Sequence, residues 1–366
     1  MPEYISQNNS LKLLILCQDQ FGYHIDTFFY CKYLRNYHEV TYLCWDYGKP
    51  KQKMDNVQVH YIPRVGNIVI RNIRYLFYAA RYFHHNLIDI CFIKYFRGCV
   101  VLRLLFPKTK MIFDIRSGST NKNTLLRFLY DAGMHFESIF FKNVTIISRS
   151  LAEKLHLAKK GLILPIGSAH ISSTVKSFEE VKLLYVGTLS NRHIERTIIG
   201  ISCFLKKAPK NINLLYTVIG DGYYGEVEYL RTLVKELKLS SRVKIVGRIP
   251  FTQLTKYFDN HNTGVSFVPI TPFFDVQPVT KTFDYLLSGM PVIGTATTEN
   301  KNVINDENGV LVDDTVEGFA KGLERLLAIK LQFSSEKIMQ DSKKYHWELI
   351  VNNLDSYLLS VVNHGK

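Results

Sequence analysis

The chain is built from two successive sets of short, continuously apolar runs, separated by stretches of helical period. The runs Leu11–Cys17, Val40–Cys44, Val57–Ile62, Ile88–Ile93, Met111–Ile115 and Val144–Ile147 form the first set. Helical patterns fall near His24–Asn36, Asn67–Asn86, Cys99–Leu105 and Asn123–Phe141. Strands that are apolar on both faces need cover on both faces, so the alternation predicts a parallel sheet flanked by helices. A small, polar segment, Ser168–Ser177, reads as a linker. The alternation then restarts with Val181–Val186, Asn213–Ile219, Val243–Val246, Gly264–Val268, Met290–Gly294 and Val310–Val312. A length of 366 residues suits two such units better than one. The expectation is an α/β chain with domains at 1–167 and 178–345. The amphipathic C-terminal stretch 346–366 would cross back to the first domain.

Composition narrows the class. No apolar run approaches the roughly 18 residues of a membrane span, and the polar start Met1–Ser10 lacks the order of a signal peptide. The six cysteines include no C-x-x-C pair, which fits reduced core residues of a cytoplasmic protein. Charge is uneven: Met1–Pro165 holds 23 Lys+Arg against 11 Asp+Glu, leaving 23 against 21 for the remainder. The first half is therefore suited to an anionic partner, such as a membrane surface or a phosphorylated substrate. No nucleic-acid-binding module is visible, so nucleic acid is not the expected partner.

The densest chemistry lies in 277–295. Pro278 suits the start of a helix, Gly289 its end, and Pro291 blocks its continuation. Free N–H groups at a helix start attract anions, and Lys281 adds a cation there. Asp284, one turn on, could hold a pair of sugar hydroxyls. Together they suggest a site for a nucleoside diphosphate; the alternative is an ordinary capped surface helix. In the first half, three loops follow strands at their carboxyl ends, where such sheets bind ligands. Gly22 lies in one, where it either admits a ligand or serves a tight turn. Asp114 and Arg116 lie in another, either as a structural network or as ligand contacts. Gly220-Asp221-Gly222-Tyr223-Tyr224-Gly225 matches G-x-G-x-x-G. It follows the second strand of its unit and has no acidic residue some 20 positions on, which argues against a nicotinamide cofactor.

The predicted helix Asn67–Asn86 carries two stripes. Val69, Ile73, Leu76, Phe77 and Ala80 form an apolar face. Arg71, Arg74, Tyr78, Arg81 and His85 form a basic one, either a solvated face or a contact with anionic lipid headgroups.

Taken in order, Tyr185-Val186-Gly187-Thr188-Leu189, Ile219-Gly220-Asp221-Gly222, Val243–Pro250, Lys281–Thr295 and Asn308–Val312 resemble the group 1 glycosyltransferases, glycosyltransferase family 4. The resemblance covers most of 181–330; in the first half only the Gly22 loop, Asp114–Gly118 and Leu164–Gly167 fit. It implies the GT-B architecture, two Rossmann-like domains facing across a cleft. The C-terminal domain would bind the donor and the N-terminal domain the acceptor. It implies a retaining, metal-independent transfer from a nucleoside diphosphate sugar to a saccharide or lipid-linked acceptor. The setting would be cell-surface polysaccharide or glycolipid synthesis at the inner face of the cell membrane.

Carried over by position, Arg192 and Lys281 would grip the diphosphate and serve as the catalytic pair. Gly187, Thr188, Gly220, Gly222, Arg248, Ile249, Gln277, Thr280 and Asp284 would bind the donor. Gly22, Asp114 and Arg116 would bind the acceptor. Two departures stand out. Thr188 replaces the family's first arginine, and Arg192–His193 spans the lysine position. Asp284 matches the second glutamate of an E-x(7)-E pair, while Val276 occupies the first, with Asp275 or Gln277 as candidate substitutes. No D-x-D motif is present. A nucleotide-sugar epimerase of the same fold and a non-catalytic basic binding protein are the competing readings.

Overall fold

The computed structural model describes residues 10–121, 123–169, 171–209 and 212–363. The N-terminal segment read as lacking a signal peptide lies, up to Asn9, outside the described residues. The chain divides into two compact units, one of Met1–Ile166 with Trp347–Lys366, the other of Gly167–His346.

The first unit holds a seven-stranded sheet in the order β3-β2-β1-β4-β5-β6-β7, every pairing parallel. Its strands are β1 (Lys12–Leu16), β2 (Glu39–Asp46), β3 (Val57–Pro63), β4 (Ile90–Lys94), β5 (Lys110–Ile115), β6 (Asn143–Ile146) and β7 (Gly161–Ile163). The short edge strand β7 and helix α5 (Arg149–Lys154) were not among the expected elements. Helix α1 (Ile25–Leu34) connects β1 leftward to β2. Helices α2 (Ile68–His85), α3 (Val100–Leu105) and α4 (Thr124–Ile139) connect strands rightward. Because parallel crossovers are right-handed, α2, α3 and α4 cover one face and α1 the other. The C-terminal helix α13 (Trp347–Asn363) lies against α1. Trp347, almost fully buried, stacks on Phe29 at 5.0 Å and meets Tyr30 edge-on at 6.0 Å. Further along α13, Asp355 meets His38 Nε2 at 2.5 Å. His38 Nδ1 accepts from the Leu11 N–H, so Nε2 carries the proton and donates to the carboxylate.

Helix α2 forms where expected. Tyr75, Ala79 and Phe83 are its buried residues. Val69, Ile73 and Phe77, part of the apolar stripe, point to solvent. The physical reason is at the sheet: the Tyr75 hydroxyl donates to the Leu43 carbonyl at 2.9 Å, and its ring packs on Trp45 and Phe96. One amphipathic aromatic anchors the helix, and the aliphatic stripe is left outside.

The second unit holds a six-stranded parallel sheet, β10-β9-β8-β11-β12-β13. Its strands are β8 (Val181–Val186), β9 (Leu214–Ile219), β10 (Val243–Gly247), β11 (Thr263–Ser266), β12 (Val292–Thr295) and β13 (Gly309–Val312). Helices α6 (Ile194–Lys207), α7 (Glu226–Glu236), α8 (Leu254–Asn260), α9 (Thr280–Leu287), α10 (Thr298–Lys301), α11 (Val316–Ile329) and α12 (Ser335–Ser342) complete it. One continuous core runs through this unit, with Tyr185, Tyr216 and Tyr285 fully buried in it. The segment expected to be a linker is fastened to the unit instead. Ser172 and Thr174 donate to Asp259, and Lys176 donates to the Phe258 carbonyl at 2.7 Å. The chain's arrival and departure are paired as well: Ser168 bridges His346, and its N–H donates to the Tyr345 carbonyl.

Candidate functional site

In the second sheet the order of connection reverses between β8 and β11. The loops beyond the carboxyl ends of β8, β9 and β10 meet beside that point, as a doubly wound sheet requires of a ligand crevice. The Gly187 N–H donates to the Ile219 carbonyl, Leu189 to Asp221, and Gly220 to Gly247. Contact is tightest at Gly220, which has φ +154°. A Cβ placed there would come 1.8 Å from the Gly187 oxygen, so no other residue fits.

These loops enclose a cavity of about 340 Å³. Gly187, Thr188, Gly220, Gly222, Arg248 and Ile249 all line it, six of the positions expected to bind a donor. Apolar walls are added by Val186, Ile219, Tyr223 and Leu254. The β9–α7 loop is held by residues that carried no signal in the sequence. Ser190 donates to Glu226 at 2.5 Å and accepts the Tyr223 N–H, while the other Glu226 oxygen accepts the Tyr224 N–H. Glu226, at the first position of α7, would have been found only by asking what caps a helix that begins after Gly225.

The cations stand at the same loop. Lys281 Nζ lies 3.8 Å from the centre of the Tyr185 ring and 2.9 Å from where a Gly187 Cβ would be. Burial holds Lys281 well below the usual lysine range, and the charge of Arg192 pushes it the same way. Burial likewise lowers Arg192, whose guanidinium rests on the Phe274 ring at 4.4 Å. Asn191 and His193, on either side of it, both adopt left-handed backbone, with φ +57° and +54°. Two non-glycine residues in that region are costly, and loops that keep them are over-determined by their surroundings. The start of α6 after His193 has no side-chain cap. Nor has α9, where Thr280 is the first residue and Lys281 the second. Two cations and two uncapped helix starts thus gather in one unit, a strongly anion-seeking arrangement.

The remaining sequence candidates separate. Asp284 accepts a short hydrogen bond from Ser168 Oγ; burial pushes its carboxyl up to about 6, against the opposing effects of Ser168 and Lys281. Asp275 is occupied otherwise: its two oxygens accept the Thr298 N–H and hydroxyl, each at 2.9 Å, which holds the start of α10. Gln277 is the other candidate substitute for the missing glutamate. It ends a short 3-10 turn, its N–H directed at the Phe274 carbonyl.

In the first unit, Asp114 and Arg116 form a buried network and not an exposed contact surface. Arg116 Nε donates to Asp26 at 2.6 Å and Nη1 to the Leu164 carbonyl at 2.7 Å. Asp114 lies 3.8 Å from Arg116 and accepts from Thr145 at 2.7 Å. Burial drives its carboxyl up to about 6, with Arg116 and Thr145 acting in the opposite direction. The sequence left a structural network and ligand contacts open for these two, and the bonds just described belong to a structural network. Gly22 has φ +87°, and its carbonyl accepts from the Gln52 side-chain amide. Beside it, Asp19 is paired with Lys94.

Residues 180–328 match the family model described as "Glycosyl transferases group 1". No curated protein matches the chain. Solved structures similar to it include sucrose-phosphate synthase (tll1590) from Thermosynechococcus elongatus, at TM-score 0.73 and 15% identity, covering 96% of this chain and 99% of that one. Anabaena Alr3699/HepE in complex with UDP aligns at TM-score 0.76 and 12% identity, covering 96% and 100%. The lipopolysaccharide outer core galactosyltransferase WaaB, in its apo form, aligns at TM-score 0.71 and 13% identity, covering 96% and 99%. At these identities the likeness is one of fold, and the fold is that of GT-B glycosyltransferases.

Proposed function

We propose that this chain, whose residues 180–328 are a group 1 glycosyltransferase domain, moves a sugar from a nucleoside diphosphate sugar to a saccharide or lipid-linked acceptor. One observation carries the reading: Lys281 and Arg192 stand at the glycine loop that borders the 340 Å³ cavity. The cavity would take the nucleoside, with Ile249 and Leu254 against the base. The pyrophosphate would lie over Gly187 toward Lys281, Arg192 and the α9 start. As the bond from the sugar's anomeric carbon to the phosphate oxygen breaks, charge grows on the leaving diphosphate. Cations already in place stabilise that charge without reorganising. The new bond forms from the acceptor hydroxyl to the anomeric carbon on the same face. The hydroxyl proton passes to the departing phosphate oxygen, so configuration is retained and no side-chain base or metal is required.

Arrival of a diphosphate also removes the penalty on Lys281. An anion beside Lys281 opposes the effect of burial and so favours its protonated form. The bound UDP named for the Anabaena structure supports a uridine donor. The lipopolysaccharide activity named for WaaB supports a cell-surface glycan as product.

The test is a thermal-shift panel of UDP, GDP, ADP and their sugars on the whole chain, followed by NMR of the product anomer with and without EDTA. A ligand at about 100 times its dissociation constant stabilises by about 2.7 kcal/mol. The proposal expects one nucleoside diphosphate to do so, and a product with the donor's anomeric configuration that EDTA does not suppress. Stabilisation by none would overturn it. Isomerisation of the donor sugar without acceptor would establish the epimerase instead.

A further inference from the structure

The outward side of the first unit combines three features that rarely coincide. The first is apolar exposure. Helix α4 turns Leu125, Phe128, Leu129, Phe136 and Ile139 to solvent, with Phe128 66% exposed. With the exposed Ala132 between Leu129 and Phe136, these positions recur at three- to four-residue steps over more than three turns, so they make one stripe. Helix α2 shows Val69, Ile73 and Phe77 in the same way, and α3 shows Val101, Leu104 and Leu105. The second feature is adjacency. All three helices cover the same face of the sheet. Leu76 of α2 approaches Gly98, at the head of α3, and Phe83 stacks on Phe106 at 4.8 Å. Glu137 of α4 accepts the Gly98 and Val100 N–H groups. Isolated exposed apolar residues are ordinary, but a contiguous set on neighbouring helices marks an interaction surface.

The third feature is charge. Arg71, Arg74 and Arg81 on α2, Arg97 before α3, Arg103 on it and Arg127 on α4 stand among these residues. Among the described residues, none of the six is in an ion pair. Helices α2 and α3 contain no Asp or Glu. The two carboxylates of α4 are turned inward, Glu137 to the start of α3 and Asp131 to the Ser119 N–H. The face is therefore aliphatic and aromatic, rimmed with arginine and cleared of exposed carboxylates.

We propose that the outward face of α2, α3 and α4 docks on an anionic lipid bilayer, its apolar stripes entering the headgroup–acyl boundary and its arginines meeting lipid phosphates. Helices lying in the interfacial plane bind by this combination of buried apolar area and basic charge. Arginine suits it, since the aliphatic stem stays with the apolar stripe while the guanidinium reaches the phosphate. A second copy of the chain is a poorer occupant. A two-fold interface would set one arginine-rich face on another with no carboxylates to separate them.

The experiment is co-sedimentation of the full chain with vesicles of phosphatidylcholine alone or with phosphatidylglycerol added, alongside light scattering without lipid. Each basic group near an anionic surface is worth roughly fivefold in partitioning. Binding is expected to anionic vesicles, and to fall by about tenfold or more on raising salt from about 0.1 to about 0.5 M. Phe128→Gln with Leu129→Gln is expected to weaken it by about tenfold or more. Arg81→Gln with Arg97→Gln should do the same and lower the salt dependence. Both pairs change exposed positions, and an unaltered circular dichroism melt verifies the fold. The proposal is overturned if the chain ignores anionic vesicles or if the variants bind as the parent does. It is overturned equally if scattering shows a dimer that the Phe128/Leu129 change dissociates. None of these readouts depends on transferase activity, so they stand or fall apart from the function proposed above.

Discussion

Gly220 states most compactly what the second unit demands of its residues. A methyl group there would overlap the Gly187 carbonyl, which cannot move without breaking its loop. Gly220→Ala is therefore expected to cost about 2–4 kcal/mol in denaturant unfolding. It should also abolish nucleotide binding in the fraction that folds; wild-type stability would show that the two loops are not in contact. Asp284 yields a prediction in pH. Its folded value of about 6 lies above the reference 3.8, so the folded state favours the protonated carboxyl. That stabilisation is complete below about pH 4 and is lost as pH rises through about 6. Asp284→Asn keeps a neutral group throughout. It should gain stability relative to wild type between those pH values, on the order of 1–3 kcal/mol. Chemical denaturation at pH 4 and pH 6.5 checks this, and a constant difference would refute the burial of a charged Asp284. Sequence patterns made the glycines, Lys281 and Arg248 legible as candidates because such a reading depends on residue type at fixed spacing. Ser168, 116 residues before Asp284, was not legible, because only folding brings them together. Asp114 and Arg116 were legible as charged groups at a strand end, but their burial depended on Asp26 and Leu164, distant in the chain.

At the scale of elements, the alternation of apolar runs and helical periods gave nearly all the strands. The inner strands of each sheet are buried on both faces by helices of their own unit, so local pattern and tertiary environment agree there, while the edge strands β3 and β7 stay partly exposed. Helix α2 shows where that reasoning stops. Its period was right, but its apolar stripe faces water, because Tyr75, Ala79 and Phe83 meet the sheet instead. Periodicity locates a stripe; it does not say whether a sheet or a solvent-side partner covers it. Helix α13 offers a complementary test. Its contacts with α1 rest on Trp347 between Phe29 and Tyr30 and on the His38–Asp355 bond. Trp347→Ala should destabilise the first unit by about 3–5 kcal/mol. Hydrogen exchange should rise in α1 and α13 and stay unchanged in β8–β13; a change confined to the second unit would contradict the assignment.

On the scale of the whole molecule, division of labour follows from charge and loop chemistry. The first unit carries most of the excess positive charge and the arginine-rimmed apolar face. The second carries the glycine loops, the cavity and the paired cations. The family match covers residues 180–328 within the second unit, where spacing rules were most informative, while the first unit is similar by fold. The central claim is that Lys281 and Arg192 grip a pyrophosphate, and calorimetric titration of UDP and of uridine tests it most directly. The unaltered chain is predicted to bind UDP far more tightly than uridine. Lys281→Ala and Arg192→Ala should each cost UDP about 2–3 kcal/mol while leaving uridine unaffected. Equal affinity of the parent and both variants for UDP would contradict the account.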